Sequence, residues 1–242
     1  MDTEIFLSIA APTYNERENI ENVVVAWEDL FVRDGIQGEV VIGEDGSTDG
    51  TKEILRGLMA RYANLVVIDH PVNRGYGSAL SSALRRSRGQ YVLTTDSDGQ
   101  FDAAEYRLLL AEISKGFDVV TGYRVSKRDS LLRVVADRVL NLIIRTLFHL
   151  PLRDTNCALK LFKGNVARQL TVEARGYPTP TELLVRAHTL QYRIGEVGIT
   201  HRERAGGKSK LKALQTSWHM MLFLIYLKYR QMLYRHGVIN AF

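Results

Sequence analysis

The sequence predicts an α/β protein built on a doubly wound, mostly parallel sheet. Three observations lead there. Through residue 125, short apolar runs alternate with helical patterns. The runs are rich in Val, Ile and Leu, as strands buried on both faces are. Polar and acidic residues collect just after the runs, at the strand ends where such sheets hold their ligands.

In chain order, the expected strands are Ile5–Ala11, Val40–Gly43, Leu65–Ile68, Tyr91–Thr94 and Val119–Thr121. Helical patterns fill the intervals at Glu18–Phe31, Thr51–Tyr62, Ser78–Arg86 and Ala104–Ser114. Asn15 with Glu18 three residues on reads as an N-cap and its capping-box partner. Asn15-Glu16, Glu44-Asp45, Asn73-Arg74 and Asp96-Ser97-Asp98 each follow a strand.

The second half begins with one apolar helical stripe, Leu140, Ile143, Ile144, Leu147 and Phe148. A strand is expected at Cys157–Phe162, a helix near Thr181–Leu190, a strand near Ile194–Val197 and a long helix over Leu211–His236. The chain therefore divides into a main domain over 1–210 and a C-terminal amphipathic helix over 211–242. Its uncharged run from Ala213 to Leu227 includes Gln215, Thr216, Ser217 and His219. That run is shorter than the ~20 apolar residues a spanning helix needs. The helix is expected to lie in a membrane interface, with Trp218 and Tyr226 at headgroup level, to pair with a partner such as a second copy, or to pack on its own domain.

Composition sets outer limits. The 242 residues carry a net charge of +5, with the basic excess concentrated beyond Arg124, which points to a phosphate-rich partner or an anionic membrane surface. The densest basic segment, Arg202–Lys210, holds Arg202, Arg204, Lys208 and Lys210 around Gly206-Gly207. Nucleic acid is not an expected partner. A single cysteine, Cys157, excludes an intramolecular disulfide and suits a reducing compartment. The acidic N-terminus lacks a signal-peptide pattern, so a cytoplasmic protein, or one peripheral on the cytosolic membrane face, is expected.

Asp96-Ser97-Asp98-Gly99-Gln100 carries the clearest chemistry. Two carboxylates one residue apart after a buried strand suit a hard divalent cation, and the Gln100 carbonyl adds a further oxygen. An acidic turn capping the next helix would look similar. An EF-hand is excluded, because Phe101 and Arg107 stand where its Gly and Glu belong. Asn73–Ala79 lacks the third glycine of a dinucleotide fingerprint, and no P-loop occurs. It reads either as close backbone approach to a donor or as a helix-entry turn. Cys157 reads as a core residue, and the histidines show no zinc spacing.

Taken in order, Pro12-Thr13-Tyr14-Asn15-Glu16, Asp45–Thr51, Asn73-Arg74-Gly75 and Asp96–Gln100 resemble the family-two inverting glycosyltransferases of GT-A fold. Gly122-Tyr123-Arg124, Arg153–Cys157 and Arg204–Lys210 look like the polyprenyl-phosphate sugar transferases within it. The resemblance implies a GT-A-like sheet, a nucleotide-diphosphate sugar donor of GDP-mannose or UDP-glucose type, and a polyprenyl phosphate acceptor. It implies that Pro12, Tyr14, Glu16 and Asp45 line the nucleotide, with Asp96 near the ribose or diphosphate and close to the metal. Asp98 and Gln100 would hold Mg²⁺ or Mn²⁺, and Arg124, Arg204 and Lys210 would face the donor and acceptor phosphates.

This chain departs from the family pattern at Glu44, at Ala158-Leu159, and in lacking a proline after Gln100. Two rival readings follow. A soluble hydroxyl acceptor would require a general base, for which Asp154 and Glu182 are the candidates. A non-catalytic membrane- or partner-binding module would not need intact Asp98 and Gln100.

Overall fold

The computed structural model describes residues 4–125, 131–202 and 213–242. Strands β1 (Leu7–Thr13), β2 (Gly38–Glu44), β3 (Leu65–Asp69), β4 (Tyr91–Thr94), β5 (Val119–Arg124), β6 (Lys160–Lys163) and β7 (Ile194–Ile199) form one sheet in the order β3-β2-β1-β4-β6-β5-β7. Strand β6 runs antiparallel to both its neighbours, and the other pairings are parallel. The helices are α1 (Ile20–Asp34), α2 (Thr51–Arg61), α3 (Tyr76–Arg86), α4 (Tyr106–Ile113), α5 (Leu131–Phe148), α6 (Gly164–Gln169), α7 (Thr179–Thr189) and α8 (Ala213–Arg235).

The two-residue period of the central strands divides the molecule into three layers. On β1, Leu7, Ile9 and Ala11 join a core with Val24 and Trp27 of α1, Leu55 of α2 and Leu109 of α4. Ala10 faces the opposite core, and Val40 and Ile42 oppose Val41 on β2 in the same way. That second core takes Leu80 and Leu84 from α3, Ile144 and Phe148 from α5, Leu183 and Leu184 from α7, and Met220, Leu224 and Leu227 from α8. No described helix is long and apolar enough to cross a membrane.

Three local expectations need correction. Asn15 does not cap α1, which begins at Ile20 after Asn19; Asn15 sits at φ 52° and is drawn into a turn-to-turn contact instead. The strand expected from Cys157 starts only at Lys160. Its first three residues are irregular backbone after the Thr155-Asn156 turn, where Thr94 Oγ1 donates to the Ala158 carbonyl and the Lys160 ammonium to the carbonyls of Thr155 and Cys157. The helix after Gln100 opens as a 3-10 turn, Ala103–Glu105, capped by Asp102, which accepts from Ala104 N at 2.9 Å. Helix α6 carries no sequence signal of its own.

The region behind the site is fastened by a buried ion pair. Arg186 of α7 is fully buried, and its Nε donates to Glu182 at 2.8 Å. Its Nη2 lies 2.7 Å from Glu182 and 2.9 Å from Glu173, as charge contacts without hydrogen-bond geometry. Glu182 also accepts from the backbone N–H groups of Glu173 (3.0 Å) and Ala174 (2.8 Å). From α8, the Tyr226 hydroxyl donates to Glu173 and Arg230 lies 3.3 Å from it. Removing Glu182 leaves the buried Arg186 with Glu173 alone and two backbone N–H groups without their acceptor, so Glu182→Ala is expected to cost ~3–5 kcal/mol. Urea unfolding measures this; a loss below ~1 kcal/mol would show that Arg186 finds water.

Candidate functional site

Parallel register brings the carboxyl ends of β1, β2 and β4 to one edge, with Thr13 opposite Glu44 and Ala10 opposite Thr94. The turns that follow are laced together by the small polar residues of their motifs. Asn15 N donates to Ser47 Oγ at 2.9 Å, Thr48 N to Asn15 Oδ1 at 2.8 Å and Glu16 N to Thr51 Oγ1 at 2.9 Å. Arg17 N donates to Asp49, and the buried Ser97 hydroxyl to the Pro12 carbonyl. Ser47, Thr48, Asp49 and Thr51 thus build the floor of the site.

Four expected donor residues sit in this frame. Pro12 is buried at the end of β1, and Tyr14 is half-buried beside it. Glu16 is largely buried and accepts from Asn19 Nδ2 at 2.8 Å. Asp45 is 2% exposed and accepts from the N–H groups of Arg74 (2.8 Å) and Gly75 (2.7 Å), with His70 Nδ1 at 3.0 Å. His70 Nε2 contacts Ser82 on α3. Asp45 therefore clamps the turn after β3. The glycines of that turn are approached by the chain itself: a Cβ on Gly75 would meet the Arg175 carbonyl at 2.2 Å, and one on Gly77 the Ala174 carbonyl at 1.7 Å.

Asp96 and Asp98 follow β4. The Tyr76 hydroxyl donates to Asp96 at 2.9 Å, and Gln100 N donates to Asp98 at 3.1 Å. Burial first, then the neighbouring Asp98 charge, raises the Asp96 pKa to about 7, against the opposing pull of the Tyr76 hydrogen bond, Lys160 and Arg124. The same surroundings push the Tyr76 phenol up. Lys160 is fully buried beneath them, and burial lowers its pKa to about 8. Cys157 is buried and its thiol is pushed up to about 12, which removes it as a nucleophile.

Among the described residues no three His, Cys, Asp or Glu side chains group as a ready metal cage. The fit is instead to a hard cation that borrows ligands. Asp96 and Asp98, beside the Gln100 amide, are oxygen groups that a hard cation such as Mg²⁺ or Mn²⁺ would take, and its charge would offset theirs.

Arg124, at the end of β5, donates from Nε to Asp154 Oδ2 (2.7 Å) and from Nη2 to Oδ1 (3.1 Å). This two-point pair borders a cavity of about 510 Å³ whose cationic lining is Arg124, Arg138, Arg145 and Arg153, with Val125 and Leu142 beside them. A second cavity, about 650 Å³, lies on the α1 side and shares Asp98 with Arg202, Trp27 and Phe101.

The residues leading to the basic segment Arg202–Lys210 are stapled to the turn Asp98–Gln100. Gln100 Nε2 donates to the Arg202 carbonyl and Arg202 N to the Gln100 carbonyl, at 3.2 and 2.8 Å. Arg202 also pairs with Asp102 at 2.7 Å, and His201 stacks edge-on against Phe101. Arg204, Lys208 and Lys210 lie outside the described residues.

Sequence reasoning missed Tyr76, His70 and Lys160. Lys160 had a signal, a lone charge between Leu159 and Leu161 in an apolar run, since lysine is buried only where something pairs with it. Tyr76 and His70 had none.

The raised Asp96 pKa has a consequence for the metal-free chain. An unfolded Asp titrates near ~3.9, so between about pH 4 and pH 7 the folded state holds a proton that the unfolded state has released. Stability contributed at this site is therefore greatest at the acid end of that window and falls as pH rises through it. In chelator, the melting temperature of Asp96→Asn should depend less steeply on pH than that of the parent chain. Parallel curves would show that Asp96 is ionised throughout.

Comparison with known proteins follows this geometry. The family model described as "Glycosyl transferase family 2" matches residues 8–163. An undecaprenyl-phosphate 4-deoxy-4-formamido-L-arabinose transferase of Edwardsiella ictaluri is 30% identical over 85% of this chain and 62% of its own length. A dolichyl-phosphate beta-glucosyltransferase of Trichomonas vaginalis is 26% identical over 87% of this chain and 70% of its own. The chain thus spans about three-fifths of the length of the first of these. Among solved structures, glucosyl-3-phosphoglycerate synthase of Mycobacterium tuberculosis, in complex with Mn²⁺, UDP-glucose and phosphoglyceric acid, superposes with a TM-score of 0.72 at 20% identity, covering 93% of this chain and 80% of that one. The sheet order, the laced acidic turns after β1, β2 and β4, and the family match together establish the GT-A fold and show that the chain belongs to glycosyl transferase family 2.

Proposed function

We propose that the chain transfers a sugar, a hexose in the simplest case, from a nucleoside-diphosphate donor to a polyprenyl phosphate, with inversion at the anomeric carbon. The nucleotide would lie across the Pro12–Glu16 turn, over the frame that Asp45 holds, with its diphosphate toward Asp96 and Asp98. A divalent cation held by Asp98 and Gln100, with Asp96 beside it, would neutralise charge on the departing nucleoside diphosphate. The relatives named as acting on undecaprenyl and dolichyl phosphates support the acceptor class.

One observation carries the acceptor reading. The two carboxylates that could serve a hydroxyl acceptor as base are committed elsewhere: Asp154 to Arg124 at two points, Glu182 to Arg186 and two backbone N–H groups. An alcohol must lose a proton as it attacks, whereas a phosphate monoester arrives anionic and needs cations to hold it. Arg138, Arg145 and Arg153 around the Arg124–Asp154 pair would offer those cations, and Arg204 and Lys210 would add to them.

Two outcomes are expected. Asp98→Asn should lower kcat by ~100-fold or more while the protein stays folded, because a strand-end turn tolerates the amide but the diphosphate charge does not. Near-normal turnover of that variant at saturating Mn²⁺ would remove the metal assignment. In a paired assay with one donor, a short-chain polyprenyl phosphate should be glycosylated and the matching polyprenol left untouched. Efficient transfer to the alcohol would replace this reading with a hydroxyl-acceptor enzyme.

A further inference from the structure

Helix α8 is apolar on two opposite faces. Met220, Leu224 and Leu227 are fully buried against the protein. On the other side Trp218, Leu222, Ile225, Tyr226, Tyr229 and Met232 are each between 42% and 65% exposed. At about 100° per residue these six side chains share one broad stripe along the helix. A helix apolar all round normally has something covering both sides.

The charges identify what covers the open side. From Ala213 to Phe242 there is no Asp or Glu, whereas His219, Lys228, Arg230 and Arg235 flank the stripe. Trp218, Leu222, Ile225, Tyr229 and Met232 follow one another at alternating steps of four and three, a spacing that would also suit a second copy of the helix. Two copies seam to seam would oppose cation to cation, since the helix itself carries no carboxylate and Glu173 beside it is already engaged by Arg230 and Tyr226 of its own chain. An anionic lipid surface meets both features, because it takes up the apolar and aromatic side chains and attracts the basic flanks. We infer that α8 is a lipid-docking helix that lays its exposed stripe into the interface of an anionic bilayer. This extends the lipid-acceptor reading but stands on different residues.

The test uses the full chain with vesicles of phosphatidylcholine alone or mixed with phosphatidylglycerol. The chain has two tryptophans, and Trp27 is buried, so a blue shift on binding reports Trp218. Expected are co-sedimentation and a blue shift with the mixed vesicles, at least ~10-fold weaker partitioning into phosphatidylcholine, and weakening by salt. Leu222→Ser/Ile225→Ser/Tyr229→Ser changes only exposed positions and should abolish binding while melting like the parent chain.

Equal binding to both vesicle types would overturn the inference. So would a triple variant that unfolds while Lys228→Gln/Arg235→Gln binds the mixed vesicles undiminished. Absence of vesicle binding also overturns it, and a dimer of the parent chain that the triple variant dissociates would then assign the stripe to a second copy. Transfer to a short-chain, water-soluble polyprenyl phosphate separates the two proposals. If it persists without vesicle binding, docking alone has failed; if vesicles bind and no phosphate is glycosylated, the acceptor reading alone has failed.

Discussion

Burying a carboxylate beside a second one two positions along the chain raises the cost of its charge, first by desolvation and then by repulsion. That constraint, set by Asp96 and Asp98 at the end of β4, organises the middle of this molecule. It accounts for the Tyr76 hydroxyl at the entry to α3, for the lysine buried in β6, and for Arg124 at the end of β5. It also gives the antiparallel β6 a purpose. Inserted between β4 and β5, this strand brings Lys160 opposite Thr94, directly before the acidic turn. The cations moderate the repulsion without removing it, and a bound metal would complete the neutralisation.

The alternation of strands and helices was legible because the buried parallel strands are short and strongly apolar, and each was located to within a few residues. Boundaries failed where side chains took over the work of the backbone. Asn15 looks like a helix cap, and its side chain does accept a backbone N–H, but from Thr48 on the neighbouring turn. Cys157–Leu159 looks like strand, but the Cys157 and Ala158 carbonyls are taken by the Lys160 and Thr94 side chains, while that of Leu159 accepts from Gly122 of β5. Such bonds join residues more than thirty positions apart or bend the chain locally, and neither leaves a periodic trace.

The candidate site was legible in a different way. The order of its motifs indicated the family, and the structure gathers Pro12, Tyr14, Glu16, Asp45, Asp96, Asp98 and Gln100 along one edge of the sheet. What the motifs did not reveal is the division of labour inside them. Ser47, Asp49 and Thr51 spend their polar atoms on other turns, and Asp45 spends its own on the turn after β3. Tyr76 and His70 had to be found in space, because each acts on a partner at least twenty residues away.

The carbonyls of Ala174 and Arg175, seated against Gly77 and Gly75, place the start of α3 on the same short segment that Glu182, Tyr226 and Arg230 hold from behind. For anyone wishing to shorten this protein, α8 is consequently not a removable appendage. A chain ending before Ala213 would bare the surface that Met220, Leu224 and Leu227 cover, and would leave Glu173 without two of its partners. The turn that places Tyr76 beside Asp96 would then rest on a loosened support, so low solubility and weak donor binding would arise together, from one missing wall.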